Sequence, residues 1–464
     1  MRSSRYIIQL AILASCAFNA PAHADFVAGL VAYEAGDYAV AHEHWLGSAK
    51  EGDLSAMYNI GLLHDNGLGV TKDKAEALRW YLEPAEEGNV SAQFSIASIY
   101  DYGDGVPEDN EKAVYWYTRA AQQADEQAQF NLGVMYSAGE GVAVDHEKSL
   151  YWYRKSADLG YSDAQYNLGY IYDLGVGVNE DNDVALRWYR KAAASGDPDA
   201  IYAIALMYDE GDGVSEDNAE AVLWYERAAA MGHVKAQFNL AIMHDRGESM
   251  AESNERALHW YGRAAEQGHA GAQVNLGVMY EHGEGTDIDL EAAMAWYRRA
   301  AEQGLSAAQY ALALLYDAGK GVVEDNELAA AWYLRAARQG DADAQNNLGA
   351  MFDAGEGVEE DDVAAMHWYR LAADQGNSVA QNNLGALFFG GSAVERDIVE
   401  AHKWFLIAEA FGSAVGGQNR ATTAMEMTGS QIAAAEDAAN EWLRGFRAGI
   451  SDELSGGLAL AASP

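Results

Sequence analysis

The sequence is poor in the residues that cross-link, bend or anchor a chain. Cys16 is its only cysteine, and 5 of its 464 residues are proline. With a single cysteine no disulfide can form within the chain, so packing alone must hold the fold together. Beyond the N-terminal segment the sequence has no run of 18 apolar residues, which excludes a further membrane-spanning helix.

Basic residues are also scarce. Only 30 Lys and Arg stand against 71 Asp and Glu, and the formal net charge is −41 at pH 7. Such a surface repels nucleic-acid phosphates and anionic lipid headgroups, so we do not expect a nucleic-acid partner. It would instead steer a basic protein toward the chain. The excess of acid is equally compatible with a purely solvating role on the outer faces.

The first 24 residues have the pattern of a secretory signal peptide. Arg2 and Arg5 precede an apolar run over residues 6–18 that is too short to span a bilayer, and Ala22-His23-Ala24 follows as a small-x-small cleavage site. We therefore expect cleavage after Ala24 and a periplasmic or secreted protein. The alternative is an outer-membrane lipoprotein, because Leu13-Ala14-Ser15-Cys16 resembles a lipobox and would leave a lipidated Cys16. The good site after the full apolar run favours simple secretion.

One repeated unit accounts for most of the remaining sequence. Tryptophans recur at intervals of 36 residues, at positions 80, 116, 152, 188, 224, 260, 296, 332, 368 and 404. The stretch Ala128-Gln129-Phe130-Asn131-Leu132-Gly133 returns 36 residues later as Ala164-Gln165-Tyr166-Asn167-Leu168-Gly169. A period between about 20 and 50 residues is the signature of a solenoid or array.

The residue pattern of each unit predicts two helices joined by a glycine-containing loop. The second helix opens at Asp, or at Ser253 in one unit, whose short polar side chain can cap the free N–H groups of the first turn. In the first helix, Ala128, Leu132 and Tyr136 share one face, and Gly133 beside them predicts the closest helix–helix approach. The pattern therefore predicts an all-α fold of helix-turn-helix repeats.

The same pattern divides the chain into five segments. Residues 1–24 are the expected signal peptide, and residues 25–52 form a short N-terminal unit like a tetratricopeptide repeat. Ten full repeats occupy residues 53–412. Residues 413–447, with Trp442 outside the 36-residue register, are predicted to be helices that cover the last exposed apolar face. Residues 448–464 are rich in Gly, Ser and Ala, and we expect them to be disordered.

The combination Ala-Gln-x-Asn-Leu-Gly, Gly-x-Gly-Val and Ala-x-x-Trp-Tyr-x-x-Ala-Ala resembles the Sel-one-like repeat, a relative of the tetratricopeptide repeat with a longer loop. The resemblance covers about residues 53–412. It implies a right-handed α/α superhelical solenoid that serves as a non-enzymatic scaffold or adaptor for protein partners. Bacterial members often lie in the envelope and include regulators of exopolysaccharide production. The resemblance therefore also implies that this chain regulates signalling or exopolysaccharide production. Its oligomeric state is left open.

The competing interpretation is an enzyme. Some cysteine-rich family members have been linked to β-lactam hydrolysis, which makes a peptidoglycan- or β-lactam-directed hydrolase the alternative. This chain lacks those cysteines and contains no Ser-x-x-Lys, the arrangement that activates the nucleophile in serine penicillin-recognising enzymes. We find no catalytic constellation, and we expect no cofactor. Acidic loops such as 359–362 lack the spacing of a calcium loop, so we expect no metal either.

The candidate binding surface is a stripe on the first helices, opposite their packing face. With Leu132 at 0°, Phe130 lies at about 160° and Val134 at about 200°. The position of Phe130 reads Tyr58, Phe94, Phe130, Tyr166, Tyr202, Phe238, Val274, Tyr310, Asn346 and Asn382 along the ten repeats. In tetratricopeptide-type superhelices the first helix lines the concave groove, where this stripe would bind a protein or peptide partner. The alternative is that these rings are buried between neighbouring units, because tyrosine is common at this place in the family.

Asparagines occupy the next position in most units. Asn131, Asn167 and Asn239 are included in the candidate surface, because in peptide-clamping relatives such a residue binds the ligand backbone. The more frequent role of a residue placed in this way is to satisfy polar groups between adjacent units.

We predict that the mature protein has the mass of residues 25–464, because the secretory pattern places cleavage after Ala24. Intact-mass spectrometry of protein purified from the native host tests this. Acyl chains on Cys16 would add a large increment, and that result would establish the lipoprotein alternative instead.

Overall fold

A computed structural model describes the backbone of residues 20–247 and 252–460, and the side chains of residues 24–247 and 252–448. Within these ranges the regular structure consists of 24 helices and no strand. The prediction of an all-α solenoid of 36-residue helical repeats is confirmed. The chain forms two compact units, one within residues 1–233 and one within residues 234–464.

The first unit is a series of helical hairpins in which each odd-numbered helix pairs with the even-numbered helix that follows it. Its helices are α1 (Ala20–Glu34), α2 (Tyr38–Lys50), α3 (Leu54–Asn66), α4 (Lys74–Glu86), α5 (Val90–Tyr102), α6 (Asn110–Gln122), α7 (Glu126–Ala138), α8 (His146–Asp158), α9 (Ser162–Asp173), α10 (Asn182–Ala194), α11 (Pro198–Glu210) and α12 (Asn218–Ala230). Helices α2, α4, α6, α8 and α10 also pack against the first helix of the next hairpin.

The second unit repeats this arrangement and ends in a longer helix. Its helices are α13 (Val234–Arg246), α14 (Asn254–Glu266), α15 (Ala270–His282), α16 (Leu290–Glu302), α17 (Ser306–Asp317), α18 (Asn326–Arg338), α19 (Ala342–Ala354), α20 (Asp362–Asp374), α21 (Ser378–Gly390), α22 (Ile398–Ala410), α23 (Ala414–Ala424) and α24 (Gly429–Leu460). Among the helices described, none is long and apolar enough to cross a bilayer.

The second helix of every full repeat begins at its predicted cap. The capping residues are Asp73, Asp109, Asp145, Asp181, Asp217, Ser253, Asp289, Asp325, Asp361 and Asp397, and each side chain accepts a hydrogen bond from a backbone N–H of the first turn. An Asp carboxylate there satisfies an otherwise free donor and interacts favourably with the helix dipole. The recurring Asp therefore fixes the start of these helices.

The two helices of a repeat meet at a small residue of the first helix. A Cβ atom on Gly133 would lie 2.7 Å from Cδ1 of Tyr153, which is buried on α8. The loop glycine Gly141 (φ 67°) makes a second close approach, since a Cβ there would lie 2.3 Å from the carbonyl carbon of Asn110 at the start of the preceding second helix. The first of these approaches was predicted from the sequence, and it is confirmed.

Glutamine pairs link the two helices of several hairpins. In five of the described repeats, a glutamine at the end of the second helix donates from Nε2 to Oε1 of a glutamine in the first helix. These pairs are Gln123–Gln93 at 2.9 Å, Gln267–Gln237 at 2.7 Å, and Gln303–Gln273, Gln339–Gln309 and Gln375–Gln345 at 2.8 Å. The inner glutamine donates in turn to the preceding repeat, as Gln93 does to the carbonyl of Ala85 at 2.8 Å. We call this chain of contacts the amide ladder.

The amide ladder is incomplete wherever the outer glutamine is replaced. The Oε1 atoms of Gln129, Gln165 and Gln381 are buried without a hydrogen-bond partner in the described structure. Residues 159, 195 and 411, which lie 30 positions further along and would supply the donor, are Leu, Ser and Phe. A buried acceptor left unpaired costs free energy, so these repeats lack a contact that the others have.

The C-terminal segment packs on the last full repeat. Trp442 of α24 lies 5.7 Å from Trp404 and 6.0 Å from Phe411, measured between ring centroids. Helix α24 extends to Leu460, through most of the tail for which we expected disorder, and residues 461–464 lie outside the described range. Extending an existing helix costs far less than nucleating one, which explains the difference. Residues 1–19, including Cys16, also lie outside the described range.

We predict that Leu159→Gln stabilises the first unit by about 0.5–1.5 kcal/mol, because its amide would donate to the unpaired Oε1 of Gln129. Leu159 is 51% exposed, so little apolar packing is lost. The free energy of unfolding from urea titration gives the measurement.

The matched control is Met231→Gln. Met231 has the same place at the end of α12 and is 49% exposed, but the residue 30 positions earlier is Ile201. This variant gains no amide partner, and we expect its stability to be nearly unchanged. Equal stabilisation of both variants would show that the gain comes from removing exposed apolar surface instead of completing the amide ladder.

Candidate partner-binding face

The first-helix stripe, defined by the ten residues from Tyr58 to Asn382 at 36-residue spacing, lies partly in the core. Tyr58 is 4% exposed and Asn346 is 9% exposed, whereas the other members are half-buried. Each aromatic member packs on the tyrosine of the second helix in its own repeat. The centroid distances are 5.6 Å for Phe130–Tyr153, 5.7 Å for Tyr166–Tyr189 and 5.9 Å for Tyr202–Tyr225.

The next repeat covers a second side of several of these rings. Tyr161 lies 5.3 Å from Phe130, and His233 stacks on Tyr202 at 4.5 Å. His269 lies 4.3 Å from Phe238 in the second unit. The rings are thus held between two helices while part of each remains accessible. Phe94 and Tyr310 have the equivalent tyrosine contacts, at 5.6 and 5.9 Å.

One turn further along the first helix, at the position of Val134, some apolar and aromatic side chains are more accessible than the rings of the stripe. Tyr170 is 47% exposed and Leu314 is 37% exposed there. Val134 itself, Leu206 and Val278 are half-buried. The part of the candidate face that a partner could reach is therefore centred on this neighbouring position more than on the stripe rings.

The structure shows a recurring pair that we did not predict, between a second-helix tyrosine and a first-helix carboxylate 16 residues earlier. The hydroxyl donates to the carboxylate in Tyr81–Asp65 (3.3 Å), Tyr117–Asp101 (3.2 Å), Tyr189–Asp173 (3.1 Å), Tyr225–Asp209 (2.9 Å), Tyr261–Asp245 (3.4 Å), Tyr297–Glu281 (2.9 Å), Tyr333–Asp317 (3.1 Å) and Tyr369–Asp353 (3.4 Å). The acidic residue recurs with the 36-residue period, so the sequence contained the pattern that indicates this pair. Two repeats lack the pair, because residue 137 is Ser in one and residues 389 and 405 are both Phe in the other.

The asparagine register joins the same contact from the next repeat. Asn347 donates from Nδ2 to the hydroxyl of Tyr333 at 3.2 Å, and that hydroxyl in turn donates to Asp317. The candidate residues Asn131, Asn167 and Asn239 have the equivalent place in their repeats and are half-buried. In the same unit as Asn347, Asn383 donates to Asn346, at 3.2 Å.

Burial dominates the electrostatics of these pairs. It raises the pKa of Asp173, as do Asp212 and Glu180, against the lowering effect of the hydrogen bond from Tyr189. Burial followed by the nearby Asp173 raises the pKa of Tyr189 far above neutral pH. The phenol therefore stays protonated and donates the hydrogen bond to the carboxylate. The pairs can order the helices and attract cations, but the phenol does not act as a nucleophile at neutral pH.

No described group of three or more His, Cys, Asp or Glu side chains is arranged to hold a metal ion. The ring of His42 faces His64 at a centroid distance of 5.6 Å. The Nδ1 atom of His44 lies 3.6 Å from Asp25. His42 and His44 thus have different neighbours.

Comparisons with known proteins extend over the same repeats. The Sel1 repeat model matches residues 54–89, 90–125, 126–161, 162–197, 198–233, 234–269, 270–305, 306–341, 342–377 and 378–410. A protective antigen present in uropathogenic Escherichia coli strains, with an SLR fold, is 34% identical at a TM-score of 0.73, covering 92% of each chain. A Sel1 repeat protein from Oxalobacter formigenes is 32% identical over 53% of this chain and 97% of its own, at a TM-score of 0.47. No match was found among curated proteins.

We predict that Asp173→Asn raises the melting temperature of the first unit at pH 7 by about 1–3 °C. The pKa of Asp173 is raised in the fold, so its ionisation opposes folding above that pKa. The opposition disappears as the pH falls through the raised pKa toward the ordinary value of 3.8. The advantage of the variant should therefore shrink between pH 7 and pH 4, which thermal unfolding at several pH values measures.

Glu226→Gln is the control, because it removes one exposed carboxylate from the second helix α12. We expect no comparable pH-dependent gain from it. If the melting temperatures of both variants rose equally, relief of the overall negative charge would explain the increase. The position of Asp173 would then have no special effect.

Proposed function

Because the chain belongs to the Sel1 repeat family, whose members are typically protein-interaction scaffolds, we propose that it is a non-enzymatic adaptor that binds a protein partner in the bacterial periplasm or envelope. The observation that carries this proposal is the accessible apolar surface beside the first-helix stripe, of which Tyr170 (47% exposed) is the clearest example. A tyrosine ring that projects from a well-ordered helix and remains accessible is well suited to protein recognition.

The location within this proposal is supported by the N-terminal pattern. A charged start, a short apolar run and Ala22-His23-Ala24 are the features of a secretory signal peptide. The finer role, regulation of signalling or exopolysaccharide production, rests on resemblance to bacterial members of the family. A scaffold would perform it by holding one component of such a system near another.

The alternative function is a hydrolase directed at peptidoglycan or β-lactams. The recurring polar contacts of the described residues are phenol–carboxylate pairs and amide–amide pairs, and neither joins an activated nucleophile to a general base. The structure therefore offers no observation that favours hydrolysis over binding.

We predict that the tagged mature chain recovers a specific protein from the envelope fraction of its native host, and that purified protein does not turn over nitrocefin. Affinity purification followed by mass spectrometry measures the first, and absorbance measures the second. The variant Tyr166→Ser/Tyr202→Ser should recover less of the partner if the first-helix stripe takes part.

The matched control for this variant is Tyr115→Ser/Tyr151→Ser, which removes two exposed tyrosine rings from the second helices α6 and α8, outside the stripe. Melting temperatures must accompany the capture experiment, since both rings of the Tyr166→Ser/Tyr202→Ser variant pack on second-helix tyrosines. A collapse in melting temperature would assign the stripe to the core. Saturable nitrocefin hydrolysis, or the absence of any partner specific to the wild-type chain, would contradict the adaptor proposal.

A further inference from the structure

The first helices of the first unit contain no cation. The sequences of α3, α5, α7, α9 and α11 include neither Lys nor Arg. The second helices carry the basic residues of this part of the chain, including Arg154 of α8, Lys191 of α10 and Arg227 of α12. Charge is therefore segregated between the two helices of each hairpin.

Two neighbouring first helices have acids on both sides of an aromatic or apolar strip. On α9, Asp163, Tyr166, Tyr170 and Asp173 fall within an arc of about 80°, at 100° per residue. On α11, Asp199, Tyr202, Leu206 and Asp209 have the same spacing and share an equivalent arc. We call these eight residues, together with Glu210, the acidic–aromatic face.

The known partners of these acids leave much of their charge in place. Asp199 lies 3.1 Å from Nε2 of His233. Asp173 and Asp209 accept hydrogen bonds from the hydroxyls of Tyr189 and Tyr225, and Asp163 accepts one from the hydroxyl of Tyr161. A neutral hydroxyl does not cancel a carboxylate charge. The first full repeat differs, because Lys74 lies 2.6 Å from Asp65 and 3.2 Å from Asp104.

The acids are close enough to affect one another. Burial raises the pKa of Glu210, and Asp212, Asp209 and Asp173 raise it further. Burial followed by Asp199, Asp197, Tyr170 and Asp173 raises the pKa of Tyr166 to about 12. Carboxylates from two successive repeats therefore act on the same small area, where a bound cation would relieve their mutual repulsion.

We propose that the acidic–aromatic face binds an extended, arginine-rich polypeptide segment of the partner, which lies across α9 and α11. The planar guanidinium group stacks on the exposed ring of Tyr170 while its N–H groups donate to the flanking carboxylates. Arginine suits this site better than lysine, because a compact ammonium group cannot stack and donate to two carboxylates in the same plane. This inference rests on the adaptor function proposed above and specifies the chemistry of the partner.

The test uses the full mature chain and a fluorescein-labelled peptide, (Arg-Ser-Gly)4, in a titration followed by anisotropy at about 0.15 M salt. The corresponding lysine peptide should bind at least about threefold more weakly, and the glutamate peptide should not bind. Tyr170→Leu retains an apolar side chain but removes the ring, and we expect it to weaken binding about fivefold. Asp173→Asn/Glu210→Gln retains the acceptor for Tyr189, and we expect a loss of about tenfold.

Two control variants separate this face from the general negative charge of the chain. Tyr151→Leu removes a similarly exposed ring (53% exposed) from the second helix α8, outside the first-helix face, and Glu359→Gln/Glu360→Gln removes two exposed loop charges. Both should bind the peptide within about twofold of the wild-type chain. Melting temperatures confirm that all four variants are folded.

The proposal is overturned if the loop-charge control weakens binding as much as Asp173→Asn/Glu210→Gln, or if Tyr170→Leu and the wild-type chain bind equally. It is also overturned if the arginine peptide does not bind. In that last case, capture of a specific envelope protein would still support the adaptor function, so the two proposals can fail separately.

Discussion

Every full repeat depends on one close contact, in which an aromatic ring of the second helix lies against a small residue of the first. At Gly133 there is no space for a Cβ atom beside the ring of Tyr153. That approach fixes the distance between the two helices. It also decides where the ring can make its other contacts, with a stripe residue on one side and, in most repeats, a carboxylate at its hydroxyl. A larger residue in place of the glycine would disturb all of these contacts together.

The local structure could be predicted well from the sequence. An Asp that caps a helix acts within four residues of itself, and the 36-residue period repeats the same signal ten times. The helix starts at Asp109 and Asp145 therefore follow from residue type and position alone. The approach at Gly133 could be predicted for a similar reason, since a glycine on the packing face of a helix leaves room for a ring of the neighbouring helix.

The environment of the candidate face could not be predicted in the same way. The periodicity of α9 shows that Tyr166 points away from Leu168, but it does not show that Tyr189 of the next helix reaches the same ring. The tyrosine–carboxylate pairs were missed because their members lie on different helices, and each alone resembles an ordinary surface acid or core aromatic. Only the geometry of the hairpin brings Asp173 and the hydroxyl of Tyr189 within 3.1 Å.

The incomplete amide ladder has a mechanical consequence. The unpaired Gln129 and Gln165, and the repeat in which Ile201 and Met231 replace both glutamines, lie in three consecutive repeats over residues 126–233. The second-helix ends of these hairpins lack the glutamine–glutamine hydrogen bond that other repeats have, so this one restraint against splaying is absent there. The acidic–aromatic face lies within this more compliant stretch. Its curvature can therefore adjust to an incoming chain at a smaller elastic cost than the better-tied repeats of the second unit would require.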